Sequence, residues 1–328
     1  SLFIGVVVGA LFTTNFAPVA ALDAVVNDGL IAAIADNAGI FLFLVLLGII
    51  VALVNAAGGS AAFGRWAETH IKTHAGAQFA TFILGILIFI DDYFNCLTVG
   101  TVMRPVTDKH KITRAKLAYI IDATAAPICI IAPISSWAAA VGSSLPEDSG
   151  VDGFSLFLHT IPFNLYALLT ICFMLFLVAG DFDFAAMKRY EEQVKKTGKE
   201  TTVEAEAMEL SGNGKVIDMI LPILVLIAFC VSGMLYTGGI LDGVGLVEAF
   251  ANCDSALSLV LGSFFTLVFI FVFYMIRRVI RFNEFCESFT IGVKAMIPAI
   301  MILCLAWTLS GICSADYLNI GGYVKEVV

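Results

Sequence analysis

Charge is what this sequence has least of. Of its 328 residues 14% are Asp, Glu, Lys or Arg, 60% are hydrophobic, and the mean hydropathy is +0.96. A soluble domain carries about 25% charged residues, so this balance excludes a water-soluble globular protein. Paired cysteine spacing is missing too. Cys96, Cys129, Cys172, Cys230, Cys253, Cys286, Cys304 and Cys313 stand singly with no CxxC, and they read as small buried residues rather than metal ligands or a disulfide framework. No GxxxxGK[ST] loop is present, which argues against a nucleotide-driven pump. The histidines offer no HExxH, so His70 and His74 read as one face of an interfacial helix and not as a zinc site. No charged n-region precedes the apolar opening Ser1-Leu2-Phe3-Ile4, so a signal peptide is not expected. The end at Gly321 to Val328 also lacks a closing feature, and the expectation is a chain that starts and stops partway through a longer protein.

What the sequence has is a succession of apolar runs, at about 2–22, 38–57, 79–103, 118–142, 156–180, 216–236, 255–276 and 291–311. A hydrocarbon layer about 30 Å thick needs roughly 20 helical residues. Runs of that length along the whole chain predict an all-α polytopic membrane protein, with the lipid bilayer as its partner and no nucleic acid.

The connections divide by charge. Arg65 and Lys72; Arg104, Lys109, Lys111, Arg114 and Lys116; Lys188 to Lys215; and Arg277, Arg278 and Arg281 fill four connections, while 23–37, 143–155 and 237–254 carry acids and no base. Basic loops stay cytoplasmic, so loops 58–78, 104–117, 181–215 and 277–290 are expected on that side. Simple crossing by every segment puts Arg65 and Lys72 opposite the Arg104–Lys116 loop. If 79–103 instead enters and returns to one face as a re-entrant hairpin, every loop agrees. Each arm of about 12 residues then reaches about 18 Å, bringing Asp91 to Asn95 to mid-membrane.

The polar stretch 181–215 separates five apolar segments from three and reads as a cytoplasmic linker between repeats. The organisation expected is a first transmembrane repeat at 1–180 lacking its first helix, the linker at 181–215, and a partial second repeat at 216–328 of inverted topology.

Asp91 and Asp92 interrupt an apolar run, followed by Tyr93-Phe94-Asn95. A charge at the bilayer centre costs at least about 2.5–3.5 kcal/mol, so the pair needs a proton, a cation or water, unless it merely caps a helix at the interface. Asn95 and Thr98, a turn away, offer neutral oxygens of the kind that complete a sodium shell. In 118–142, Asp122 and Thr124 precede Ala126-Pro127 and Ala132-Pro133-Ile134-Ser135-Ser136. Proline removes a backbone donor and obstructs the preceding turn, so this helix is expected to break. Carbonyls freed at membrane depth are tolerated where they line a cavity and coordinate ions, although a simple kink is the alternative. Asn55, Lys294 and Trp307 are weaker candidates.

Together IFIDDYFNCLTVGTVMRPVTDKHK at 88–111 and AKLAYIIDATAAPICIIAPISSW at 115–137 resemble the signature core of the NhaC-type sodium/proton antiporters, within the wider ion transporter superfamily. LCLAWTLSG at 303–311 agrees less tightly, in order. The resemblance implies a secondary transporter, not an enzyme, of the bacterial plasma (inner) membrane. With it come inverted repeats, a re-entrant hairpin and a broken transmembrane helix, and no cofactor beyond sodium and protons as transported species. It points to Asp91, Asp92, Asn95, Asp122, Thr124 and Ser135 as ion-binding residues, with Asp91, Asp92 and Asp122 as candidate sodium ligands. A homodimer stays open. Family members resemble a longer chain with a second motif-bearing half.

The mechanism expected is competition: an aspartate cluster binds sodium or protons, and neutralised states cross the barrier while the empty anionic site does not. Burial and a like-charged neighbour would raise one carboxylate toward the working pH. One rival, an organic-acid or amino-acid exchanger on the same scaffold, wants a buried cation that the motifs do not offer. Another, an intramembrane aspartyl protease, wants a GxGD context, but Phe89-Ile90 precede Asp91.

Overall fold

Apolar runs that cannot hydrogen-bond to lipid must satisfy their backbone internally, and they do so here as helices. A computed structural model describes residues 1–89, 92–133, 135, 137–138, 153–197, 214–314, 317–320 and 322–323. Among them all regular structure is helical: α1 (Leu2–Thr13), α2 (Pro18–Asp36), α3 (Ala38–Ala56), α4 (Gly59–His70), α5 (His74–Leu87), α6 (Asp92–Lys109), α7 (Arg114–Cys129), α8 (Gly153–Thr160), α9 (Leu165–Gly180), α10 (Ala185–Thr197), α11 (Ile217–Thr237), α12 (Leu246–Ala251), α13 (Ser255–Arg277) and α14 (Phe282–Ile312). Six runs are long and apolar enough to cross a membrane: α2, α3, the Leu165–Thr197 stretch of α9 and α10, α11, α13 and α14. The protein is an all-α polytopic membrane protein.

The chain forms two compact units, Ser1–Val45 with Val293–Val328, and Leu46–Gly292. In the first, the run read as one segment at 2–22 is broken. Thr13 and Thr14 hydroxyls both donate to the Ala10 carbonyl, at 2.9 and 2.8 Å, and Asn15 and Phe16 take φ of 50° and 61° before Pro18 opens α2. The connection expected at 23–37 is instead the body of α2, π-helical over Ala24–Ile31. Its alanines favour a helix, and Asn27 spends its amide locally on Asp23 at 2.6 Å. Val6, Ala10, Ala21, Ala24 and Ile312 form this unit's core.

In the second unit α5 and α6 are joined by four residues across which the chain reverses: Asn95, ten positions after Gly85, donates to its carbonyl at 2.6 Å. The two helices make a hairpin with arms of 14 and 18 residues, longer than the 12 anticipated because α6 continues through Arg104 to Lys109. α7 packs against both arms and against α9, and α4 lies along α6. Elsewhere in this unit α11 and α13 approach closely through small residues, as membrane helices do. A Cβ on Gly262 would fall 2.7 Å from the Cys230 backbone nitrogen. The end of this pair that carries Arg277 is held by Asp218, wholly buried, which pairs with Arg277 at 3.0 Å and whose carbonyl accepts from the Tyr274 hydroxyl at 2.6 Å.

Candidate ion site

α5 stops at Leu87 because Asn95 takes the carbonyls that would continue it. The Asn95 amide nitrogen donates to Gly85 O at 2.6 Å and to Ile88 O at 2.7 Å. Both of its hydrogens are thereby committed, which fixes the amide and turns Oδ1 the other way. That oxygen is buried and meets no hydrogen-bond partner among the described residues, and one turn on the same is true of Thr98 Oγ1. Buried polar atoms are nearly always paired, so two unpaired oxygens at i and i+3 of one helix demand a reason.

Asp92 opens α6 beside them. It is half-buried, with the Trp137 indole and the charge of Asp122 in its surroundings. Asp92 stands in the first turn of α6, at the hairpin tip, where the helix dipole favours a carboxylate. Asp91 lies outside the described residues.

α7 supplies the second wall. Thr124 is buried, its hydroxyl donates to Ile120 O at 2.5 Å, and its methyl abuts α5: a Cβ on Gly85 would fall 2.9 Å from Thr124 Cγ2 and 3.6 Å from Asn95 Oδ1. Only glycine lets the two helices meet at this depth. Asp122, two residues earlier, is about 200° around the helix and exposed, so α7 presents Thr124 and Asp122 on opposite sides. Asp122 acts on Asp92 through its charge.

The break expected in 118–142 falls after Cys129. Pro127 is accommodated inside α7, regular helix ends at Cys129, and helical geometry returns at Trp137 and Ala138. Ser135 staples the gap: buried, its hydroxyl contacts Cys129 O at 2.7 Å and Ala132 O at 2.9 Å and accepts from Ala138 N at 3.2 Å. Ser135 therefore holds the break that delivers Trp137 to Asp92. Trp137 was passed over in the sequence. The available signal was an indole N–H in an apolar run, which needs an acceptor.

The weaker candidates lie elsewhere. Asn55 is buried and accepts from Ser60 Oγ at 2.5 Å, Trp307 packs edge-on against Phe41, and Lys294 is exposed. His70 and His74 do not share a helix face. His70 ends α4 stacked on Trp66, and His74 starts α5, 2.6 Å from Asp181. No cluster of three or more His, Cys, Asp or Glu side chains occurs among the described residues.

At the base of the hairpin α10 is tied down by buried polar pairs. Glu191 accepts from Thr113 Oγ1 at 2.5 Å, and Asp183 pairs with Lys116 at 2.9 Å.

These features define a polytopic helical membrane protein with two unpaired buried oxygens, among the described residues, on a helix that a carboxylate opens. Residues 128–328 match the Na+/H+ antiporter family, and the chain belongs to that family, one of transporters rather than enzymes. An uncharacterized protein of Haemophilus influenzae (strain ATCC 51907 / DSM 11121 / KW20 / Rd) is 36% identical over 344 residues, covering 100% of this chain and 65% of its own length. The chain thus spans less than two thirds of that relative. No solved structure matches. The family match begins at Ile128, so it includes Ser135 and Trp137 but not the hairpin.

Proposed function

We propose that this protein exchanges sodium for protons across a bacterial plasma membrane, as an NhaC-type antiporter, by competition at the hairpin tip. The observation that carries the reading is the pair of buried, unpartnered oxygens, Asn95 Oδ1 and Thr98 Oγ1, on the helix that Asp92 opens. Sodium is a hard cation that takes carboxylate and neutral oxygens, and it leaves such atoms satisfied where a proton would satisfy only the carboxylate.

In the mechanism, Asp92 is the exchanging group, and Asp91 and Asp122 set the field it feels. Asn95, Thr98 and the lone pairs of Thr124 make up the neutral shell. The Trp137 indole and the N–H groups of the first turn of α6 are placed to orient the Asp92 carboxylate. Either ligand neutralises Asp92, and the neutral form crosses a low-dielectric barrier that the free carboxylate cannot. Inverted repeats about the 181–215 linker, with the basic loops cytoplasmic, belong to the same proposal.

An organic-anion exchanger would need a buried free cation. Among the described residues the one buried base is Lys116, and it is engaged by Asp183. The test is exchange in everted vesicles carrying the full-length protein and its Asp92→Asn variant. Sodium-dependent proton movement is expected to vanish in the variant; its persistence would remove Asp92 from the mechanism.

A further inference from the structure

Around α5 the residues His74, Gln78, Thr81 and Gly85 follow at i, i+4, i+7 and i+11, within about 60° of one another. This stripe runs for roughly 16 Å from the Asp181 carboxylate at one end to Thr124 and Asn95 at the other. At its start three atoms converge: His74 Nδ1 is 2.6 Å and Gln78 Nε2 2.7 Å from Asp181 Oδ1, and the two nitrogens are 2.9 Å apart. An ionised carboxylate oxygen can only accept, so both nitrogens present hydrogens to it. The Gln78 amide is thereby oriented with its oxygen turned away from the surface. Gln78 is wholly buried, and that oxygen meets no hydrogen-bond partner among the described residues. Further along, Thr81 and Thr124 each spend their hydroxyl proton on a backbone carbonyl, Ala77 O at 2.8 Å and Ile120 O at 2.5 Å, leaving lone pairs free. The stripe therefore offers acceptors without donors, the pattern a dehydrated cation needs.

Building on the exchange reading, we propose that this face of α5 is the route by which the transported cation reaches the hairpin tip, with Asp181 as its acidic mouth and Gln78 Oε1 as the first dry ligand. A cation drawn to Asp181 loses water to Gln78 Oε1 and passes by the Thr81 and Thr124 oxygens to Asn95 Oδ1. Gly85 keeps the last step short.

The experiment measures exchange rate against sodium concentration in vesicles carrying the full-length protein. Gln78→Leu should raise the half-saturating sodium about ten-fold with the maximal rate little changed. Thr81→Val, which preserves shape, should raise it several-fold and stands in if Gln78→Leu fails to assemble. A bracing role would lower the unfolding temperature of Gln78→Leu and leave half-saturation alone. Unchanged half-saturation in Gln78→Leu or Thr81→Val, with Asp92→Asn inactive, overturns the route and spares the exchange reading. An active Asp92→Asn overturns both.

Discussion

Asn95 and Gly85 clasp the two arms of the hairpin: the Asn95 amide nitrogen donates to the Gly85 carbonyl at 2.6 Å across a reversal of the chain. The same amide serves Ile88 O at 2.7 Å, so one side chain both stops α5 and presents an unpaired oxygen. Asn95→Ala should lose the clasp and destabilise the protein by about 1–3 kcal/mol, the cost of leaving buried acceptors unmade. Asn95→Asp should be worse, because a carboxylate would face two carbonyls with nothing to donate. Thermal unfolding of both variants in detergent decides it; an aspartate variant as stable as the native protein would mean that the clasp does not matter.

Gly85 and Thr124 form a steric pair. A Cβ at Gly85 would sit 2.9 Å from Thr124 Cγ2, so Gly85→Ala should cost about 1–3 kcal/mol by overpacking. Thr124→Ser removes that methyl and keeps the hydroxyl. The double variant Gly85→Ala with Thr124→Ser should recover most of the loss, giving a coupling well above the roughly 0.3–0.5 kcal/mol scatter of independent sites. Additive losses would place the two residues out of contact.

The class of the fold was legible, because apolar runs of spanning length have no other stable form in lipid. A turn between two helices near Asp91 and Asp92 was legible as well, since Arg65 and Lys72 set against Arg104 to Lys116 argued for a chain that reverses there. What the sequence could not convey was direction around a helix end. Asp122 and Thr124 look like neighbours in the chain, yet they stand on opposite sides of α7, and periodicity counted from an uncertain start does not tell which one faces α5. Nor does proline alone mark a break. Pro127 stays helical while the chain leaves α7 after Cys129, where Ser135 supplies the hydrogen bonds that make an unwound stretch tolerable. The acidic stretch 23–37 misled because charge pointed to a loop while its alanines formed a helix.

Thr98 offers the cleanest test of the site. Thr98→Val is nearly isosteric and removes one oxygen that makes no hydrogen bond among the described residues, so the fold should gain or lose little. Half-saturating sodium should rise about ten-fold, equivalent to roughly 1.4 kcal/mol, with the maximal rate little changed. In the native protein half-saturating sodium should itself rise as pH falls, because protons and sodium claim the same Asp92 carboxylate. Flat sodium affinity across pH would contradict competition and favour separate sites.

Thr113 has two duties, and they can be separated. Its hydroxyl accepts from Lys116 N at 3.2 Å, capping α7, and donates to the buried Glu191 of α10 at 2.5 Å. Thr113→Val should lose both, at about 1 kcal/mol for the cap and about 1–3 kcal/mol for the stranded carboxylate. Glu191→Ala leaves the cap and removes the dock, whereas Glu191→Gln keeps an acceptor for the hydroxyl. Lys188, Arg189, Lys195 and Lys196 make α10 a ready tryptic target once it lifts away. Cleavage within α10 should therefore be faster in Thr113→Val and Glu191→Ala than in the native protein or Glu191→Gln. If Glu191→Ala is cut no faster, the Lys116–Asp183 pair at 2.9 Å holds the helix by itself, and Glu191 is not what fastens α10 to α7.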